Sequence, residues 1–170
     1  MSCVLSNGQA RDCSDSLGGI VEVLISERDN ITATTLENGD ISAITQSGAT
    51  NFYRYELKKE SGSLTSTATV DQTGGTSFYD NVVAFTINKM SAVKSNEIKM
   101  LMLARLFVIV KDNNGVYWSL GNDNFAEGSS LVGQTGQAYG DPNQYQIELT
   151  DKSQFPCYGC LLYTSDAADE

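Results

Sequence analysis

The chain contains no histidine. That absence removes Ser-His and Cys-His nucleophile pairs, imidazole acid/base chemistry and the commonest metal ligand. Proline is nearly missing: Pro142 and Pro156 are the two in 170 residues. Charge is sparse at 19%, and it is one-sided, with 11 basic against 21 acidic residues and a formal net charge of −10. Such a surface repels nucleic-acid phosphates, so sequence-specific DNA binding is not expected. Long apolar runs are absent as well. A membrane helix needs roughly 20 apolar residues; Met100 to Val110 falls short and contains Arg105. No basic start followed by an apolar core marks a secretory signal, so none is expected, and the N-terminal Cys3 and Cys13 are expected as free thiols.

What is present points to strands. Hydrophobic residues reach 41%, enough for one ordinary domain with a core. Thr, Ser, Asn and Gly abound, the composition of strands and turns. Ile20 to Ser26 is a short apolar run. Ile31 to Glu37 and Asp40 to Gln46 flank Asn38-Gly39, the strongest short hairpin signal, because both turn residues tolerate positive φ. Phe52 to Lys59 alternates with period two. Gly62 to Asn81 reads as a long polar hairpin arm turning at Gly74-Gly75. Leu106 to Val110 and Val116 to Gly121 form a tight hairpin around Asp112 to Gly115, and Tyr145 to Lys152 is a last alternating strand. One helix is expected at about 95–106, with Ser95 as N-cap and Glu97 at its positive end. Residues 122–144 read as irregular. The expected fold is mainly β: a β-sandwich or barrel with one flanking helix and the arm at about 62–81.

Candidate chemistry is thin. Cys157-Tyr-Gly-Cys160 has the C-x-x-C spacing of a redox pair or half a zinc site, but Cys3 and Cys13 do not complete it. Gly121 to Gly128 carries Asp123, Asn124 and Glu127 without the register of a calcium loop. Gly133 to Gly140 lacks the Lys-Ser/Thr of a phosphate loop. Tyr117 and Trp118 suggest a sugar platform, but strand neighbours point to opposite faces. The sequence therefore implies no enzyme, no catalytic residue, no cofactor and no metal site.

Two longer phrases carry a resemblance. Asn96 to Gly121 runs helix, strand, turn, strand; Gly133 to Pro156 runs Gly-rich lead-in, Gly140-Asp141, strand and aromatic-Pro ending. With the long polar arm, these resemble the major tail (tube) proteins of tailed bacteriophages over most of the chain. The resemblance implies a structural virion protein made in the host cytoplasm. Its partners are other copies of itself and other tail proteins. It forms stacked, hexameric rings through which DNA passes without specific binding, and it has no membrane role. On that reading the assembly surface is expected on the arm, at Leu64, Thr67, Val70, Phe78 and Tyr79, and in the 122–144 loop at Phe125. The runner-up is a carbohydrate- or surface-binding β-sandwich of a virion fibre or baseplate. A second resemblance concerns the end: Cys160 to Glu170 resembles the translation of a transposase sequencing adapter. Residues 1–159 are then expected as the native, C-terminally truncated domain, 160–170 as a non-native tail, and the 21 acidic residues fall by Asp166, Asp169 and Glu170.

Overall fold

Among the described residues, eleven strands and one α-helix make two sheets and a single flanking helix. The computed structural model describes residues 5, 7–48 and 51–161; Cys3 and residues 162–170 of the adapter-like tail lie outside them. The strands are β1 (Ile20–Glu27), β2 (Ile31–Glu37), β3 (Asp40–Gln46), β4 (Tyr53–Glu56), β5 (Gly62–Asp71) and β6 (Thr76–Asn88). Helix α1 (Ala92–Leu103) follows, then β7 (Leu106–Asp112), β8 (Tyr117–Leu120), β9 (Glu127–Gln134), β10 (Gln144–Ser153) and β11 (Tyr158–Cys160). The mainly β sandwich with one helix is as expected, and neither sheet closes into a barrel.

The larger sheet has the order β2-β3-β11-β8-β7-β1-β4, the smaller β5-β6-β10-β9. All three hairpins expected from the sequence form. Asn38 and Gly39 take positive φ between β2 and β3, and Gly115 does so between β7 and β8. β5 pairs with β6 from Gly62↔Phe85 to Asp71↔Thr76. The main core lies between the sheets. Val23 and Ile25 of β1 and Leu106, Val108 and Val110 of β7 face Val83 and Phe85 of β6 and Tyr145, Ile147 and Leu149 of β10. Ile98 and Leu101 bring the helix into the same core.

The seven-stranded sheet has a second buried cluster on its other face: Ile31, Ile41, Phe107, Ile109 and Cys160. In strand order β3, β11 and β8 separate β2 from β7, and Ile41 of β3 and Cys160 of β11 lie between the two ends of the cluster. Phe52 stands over Phe107 with ring centroids 6.2 Å apart. β7 is therefore buried on both sides, which explains its unbroken apolar run.

Three expectations shift. The helix begins earlier: Ser91, not Ser95, is the N-cap, its hydroxyl accepting from the Lys94 N–H at 3.3 Å. Ser95 lies inside the first turns with its hydroxyl against that of Tyr145. The helix ends at Leu103, and Arg105 lies beyond it, its guanidinium 5.3 Å from the Phe125 ring centre. Residues 122–144 are not wholly irregular, because Glu127–Gln134 forms β9 on the edge of the smaller sheet. Its glycines masked the strand, but they have a packing reason. A side chain at Gly128 would meet Met102 of the helix at 2.6 Å, and one at Gly133 would meet Met90 at 3.1 Å.

Candidate functional site

The C-x-x-C is divided by its own strand. Cys157 packs against the main core and Cys160 lies in the second cluster, on opposite faces of the larger sheet. Cys157 stands just before β11 and Cys160 ends it, three positions on, an odd spacing that turns the two side chains to opposite sides and keeps the two thiols from pairing or chelating one ion. Both are free. Burial, then the Asp151 charge, pushes the Cys157 thiol up to about 12; burial, then Asp40, pushes Cys160 up to about 11. Such thiols are poor nucleophiles at neutral pH. The first residue of the adapter-like segment is thus part of β11, and its side chain fills space beside Ile41 and Phe107.

The calcium-like loop is held by an arginine instead. The Arg28 guanidinium donates to the carbonyls of Asn122 at 3.1 Å, Asn124 at 3.1 Å and Ile31 at 2.9 Å. Asp123 accepts from the Tyr158 hydroxyl at 3.2 Å. No group of three or more Cys, Asp or Glu side chains placed to hold a metal ion occurs among the described residues. In the Gly-rich segment the Asp141 carboxylate accepts the N–H groups of Ala138 and Gln137 at 2.8 Å. Those bonds, Ala138's first, hold its pKa below the usual carboxylate value; the segment is a tight turn. Trp118 faces the main core and its indole donates to Asp112 at 3.3 Å, whereas Tyr117 packs on the second cluster. The two rings form no common platform.

What stands out is the smaller sheet. Its edge strands, β5 and β9, pair with nothing on their outer sides among the described residues. β6 pairs with β10 from Asn88↔Gln144 to Tyr79↔Ser153. Beyond that point Thr76–Phe78 and Thr69–Asp71 pair only with each other, and the hairpin becomes a two-stranded tip clear of the sheet. The six assembly candidates separate accordingly. Leu64 and Tyr79 are partly buried on the inner face, Leu64 against the main core. Thr67 is exposed on the outer face, opposite Asp80. Val70 is 65% and Phe78 40% exposed, on opposite faces of the tip. Phe125 belongs elsewhere: it is partly buried under Arg105 and is not joined to the arm. Sequence reading missed Leu131 of β9, which is 41% exposed although its cross-strand partner, Ile147, is buried in the main core. An apolar residue on an unpaired edge, facing the side its buried partner faces, is a marker of contact.

Troughs open on the surface. One of about 410 Å³ lies between the sheets, lined by Leu17, Ile20, Leu64, Trp118, Pro156 and Cys157 among others. Another of about 290 Å³ runs along the helix past Tyr53, Tyr55 and Met100. There the Tyr55 hydroxyl donates to Glu97 at 3.1 Å; burial and then the Glu97 charge raise its pKa. No helix among the described residues is long and apolar enough to cross a membrane. No protein-family model, curated protein or solved structure matches the chain.

Proposed function

We propose that the chain is a non-enzymatic structural subunit that assembles with copies of itself into stacked, hexameric rings, forming a phage tail tube in the virion. One observation carries this reading: the two open edges of the four-stranded sheet. Every pairing in that sheet is antiparallel. With four strands, β5 and β9 run in opposite directions. A second copy, brought in by rotation about an axis along the strands, presents its β9 antiparallel to the first copy's β5. No copy needs to be inverted, so the operation repeats and closes into a ring. Leu131 of one copy and Leu64 of the next then lie on the same, inward side of the joined edges. The tip carries apolar groups on both faces and reaches past its own sheet, which suits contact with an adjoining ring. The acidic surface, 18 acidic against 11 basic residues or net −7 once the adapter-like residues are set aside, suits a channel that DNA slides through without sticking.

Negative-stain microscopy of purified protein tests the reading. Rings or tubes on the order of 100 Å across are expected for six such subunits, and Leu131→Lys should abolish them by placing a charge on the joining edge. Tubes that persist in Leu131→Lys refute the edge joint; a strict monomer at high concentration refutes assembly. The runner-up, a carbohydrate-binding module, draws on one feature, the trough lined by Trp118. Monomeric protein that binds a glycan array, and loses binding in Trp118→Ala, would favour it.

A further inference from the structure

We propose that Asp151 is a proton-dependent latch that holds the 121–126 segment and the lead-in to β11 against the four-stranded sheet when protonated, and releases them on ionising. Asp151 points inward from β10 and is 3% exposed. Its Oδ2 accepts the Gly121 N–H at 3.0 Å. Its Oδ1 is buried with no hydrogen-bond partner within 3.5 Å, and the Asn81 side chain acts on the carboxyl from a little farther off. Around it stand Asn81 of β6, Asp123 of the loop after β8 and Cys157 before β11, while Asp80 of β6 lies on the outer face of the sheet. Beyond Asn81 lies Ser66 of β5. None is a cation, and the ion pairs among the described residues do not involve Asp151. A buried carboxylate with no cation beside it and one oxygen short of a hydrogen bond is costly. A proton on Oδ1 removes that cost. Burial first, and nearby acidic charge least, raise the carboxyl's pKa, against the Gly121 bond and the Asn81 side chain, which lower it.

The latch matters because of what it is joined to. Asn81 donates to Ser153 Oγ at 3.3 Å and to the Phe155 carbonyl at 3.4 Å, fixing the exit of β10. Asp123 receives the Tyr158 hydroxyl. Tyr158–Cys160 is the strand through which β2 and β3 join the rest of the larger sheet. Loosening 121–126 and 153–157 therefore loosens the attachment of the β2–β3 hairpin.

The sign follows from linkage. The closed form holds its proton more tightly than the open one, whose carboxyl has its ordinary value. Opening is independent of pH below that value. It rises about tenfold per pH unit between the ordinary and the raised pKa, then levels off. The test is amide hydrogen exchange of the full chain from about pH 4 to about pH 8, corrected for intrinsic rates, in wild type and Asp151→Asn. Peptides covering 121–126 and 153–161 should open along that curve in wild type and stay flat in the variant. Equal slopes in both, or no rise in wild type, overturn the latch. If Asp151→Asn does not fold, carbon-detected NMR titration of the wild-type carboxyl decides. The Gly121 amide should move with a midpoint above the ordinary Asp value, and titration at or below that value overturns the proposal. Neither outcome bears on ring assembly.

Discussion

The two sheets share one chain and one core, but they use their strands differently. The seven-stranded sheet buries β7 on both faces: Leu106 to Val110 are all at or below 2% exposure. The four-stranded sheet buries one face, and at the far end of β5 and β6 it buries neither. β7 reads LFVIV and β5 reads GSLTSTATVD. An unbroken apolar run can only be accommodated where both faces are covered. A Thr/Ser run keeps strand geometry without needing a core beneath it. The larger sheet therefore carries the stability, and the outer half of the smaller one is left available for contacts.

The sharpest break of this comparison is Phe107→Ala. Phe107 is fully buried in the second cluster, under Phe52. Removing it should cost about 3–5 kcal/mol in urea unfolding followed by circular dichroism. A loss below about 1 kcal/mol would mean that the second cluster unfolds apart from the main core.

Next comes Gly121, where the larger sheet turns toward β9. It has φ +80, and a Cβ there would stand 2.5 Å from the Leu106 carbonyl oxygen. Gly121→Ala should cost about 2 kcal/mol or more, through backbone strain and the clash. An unchanged midpoint would show that this turn is slack.

Ser66→Ala probes the point where the hairpin leaves the core. Ser66 donates to Asn81 Oδ1 at 2.6 Å, and Asn81 is 1% exposed. The variant leaves a buried acceptor without that donor and should lose about 1–2 kcal/mol. A neutral result would move the boundary of the structured sheet inward, toward Leu64.

How much of this was legible in the sequence follows the same division. The hairpins at Asn38-Gly39 and Asp112 to Gly115 were readable because turn residues demanding positive φ sat between β-branched runs. β10 was readable from its clean alternation. β9 was not, because Gly128 and Gly133 are glycine for the helix that lies over them, and a local reading sees only turn formers. The helix start was misread because both Ser91 and Ser95 suit a cap, and the choice rests on the Tyr145 hydroxyl, fifty residues away. Of the six assembly candidates, Val70 and Phe78 are exposed on the tip, whereas Phe125 was chosen as an apolar residue in a supposed loop and is covered by Arg105. The Asp151 cluster was invisible: its members come from five separate segments, and nothing local marks Asp151 as buried.

The smallest stability effect belongs to the tip, and there the comparison is sharpest. Val70 and Phe78 lie outside the buried core, and the Lys152 ammonium stands 5.9 Å from the Phe78 ring centre. Val70→Ser with Phe78→Ser should change unfolding free energy by no more than about 0.5 kcal/mol, because both side chains keep much of their exposure on the tip of the folded chain. Sedimentation velocity should nevertheless show stacked assemblies reduced to single rings or monomers. The opposite result, a clear loss of stability with assembly intact, would make the tip part of the folding core and return the contact role to the edges of β5 and β9 alone.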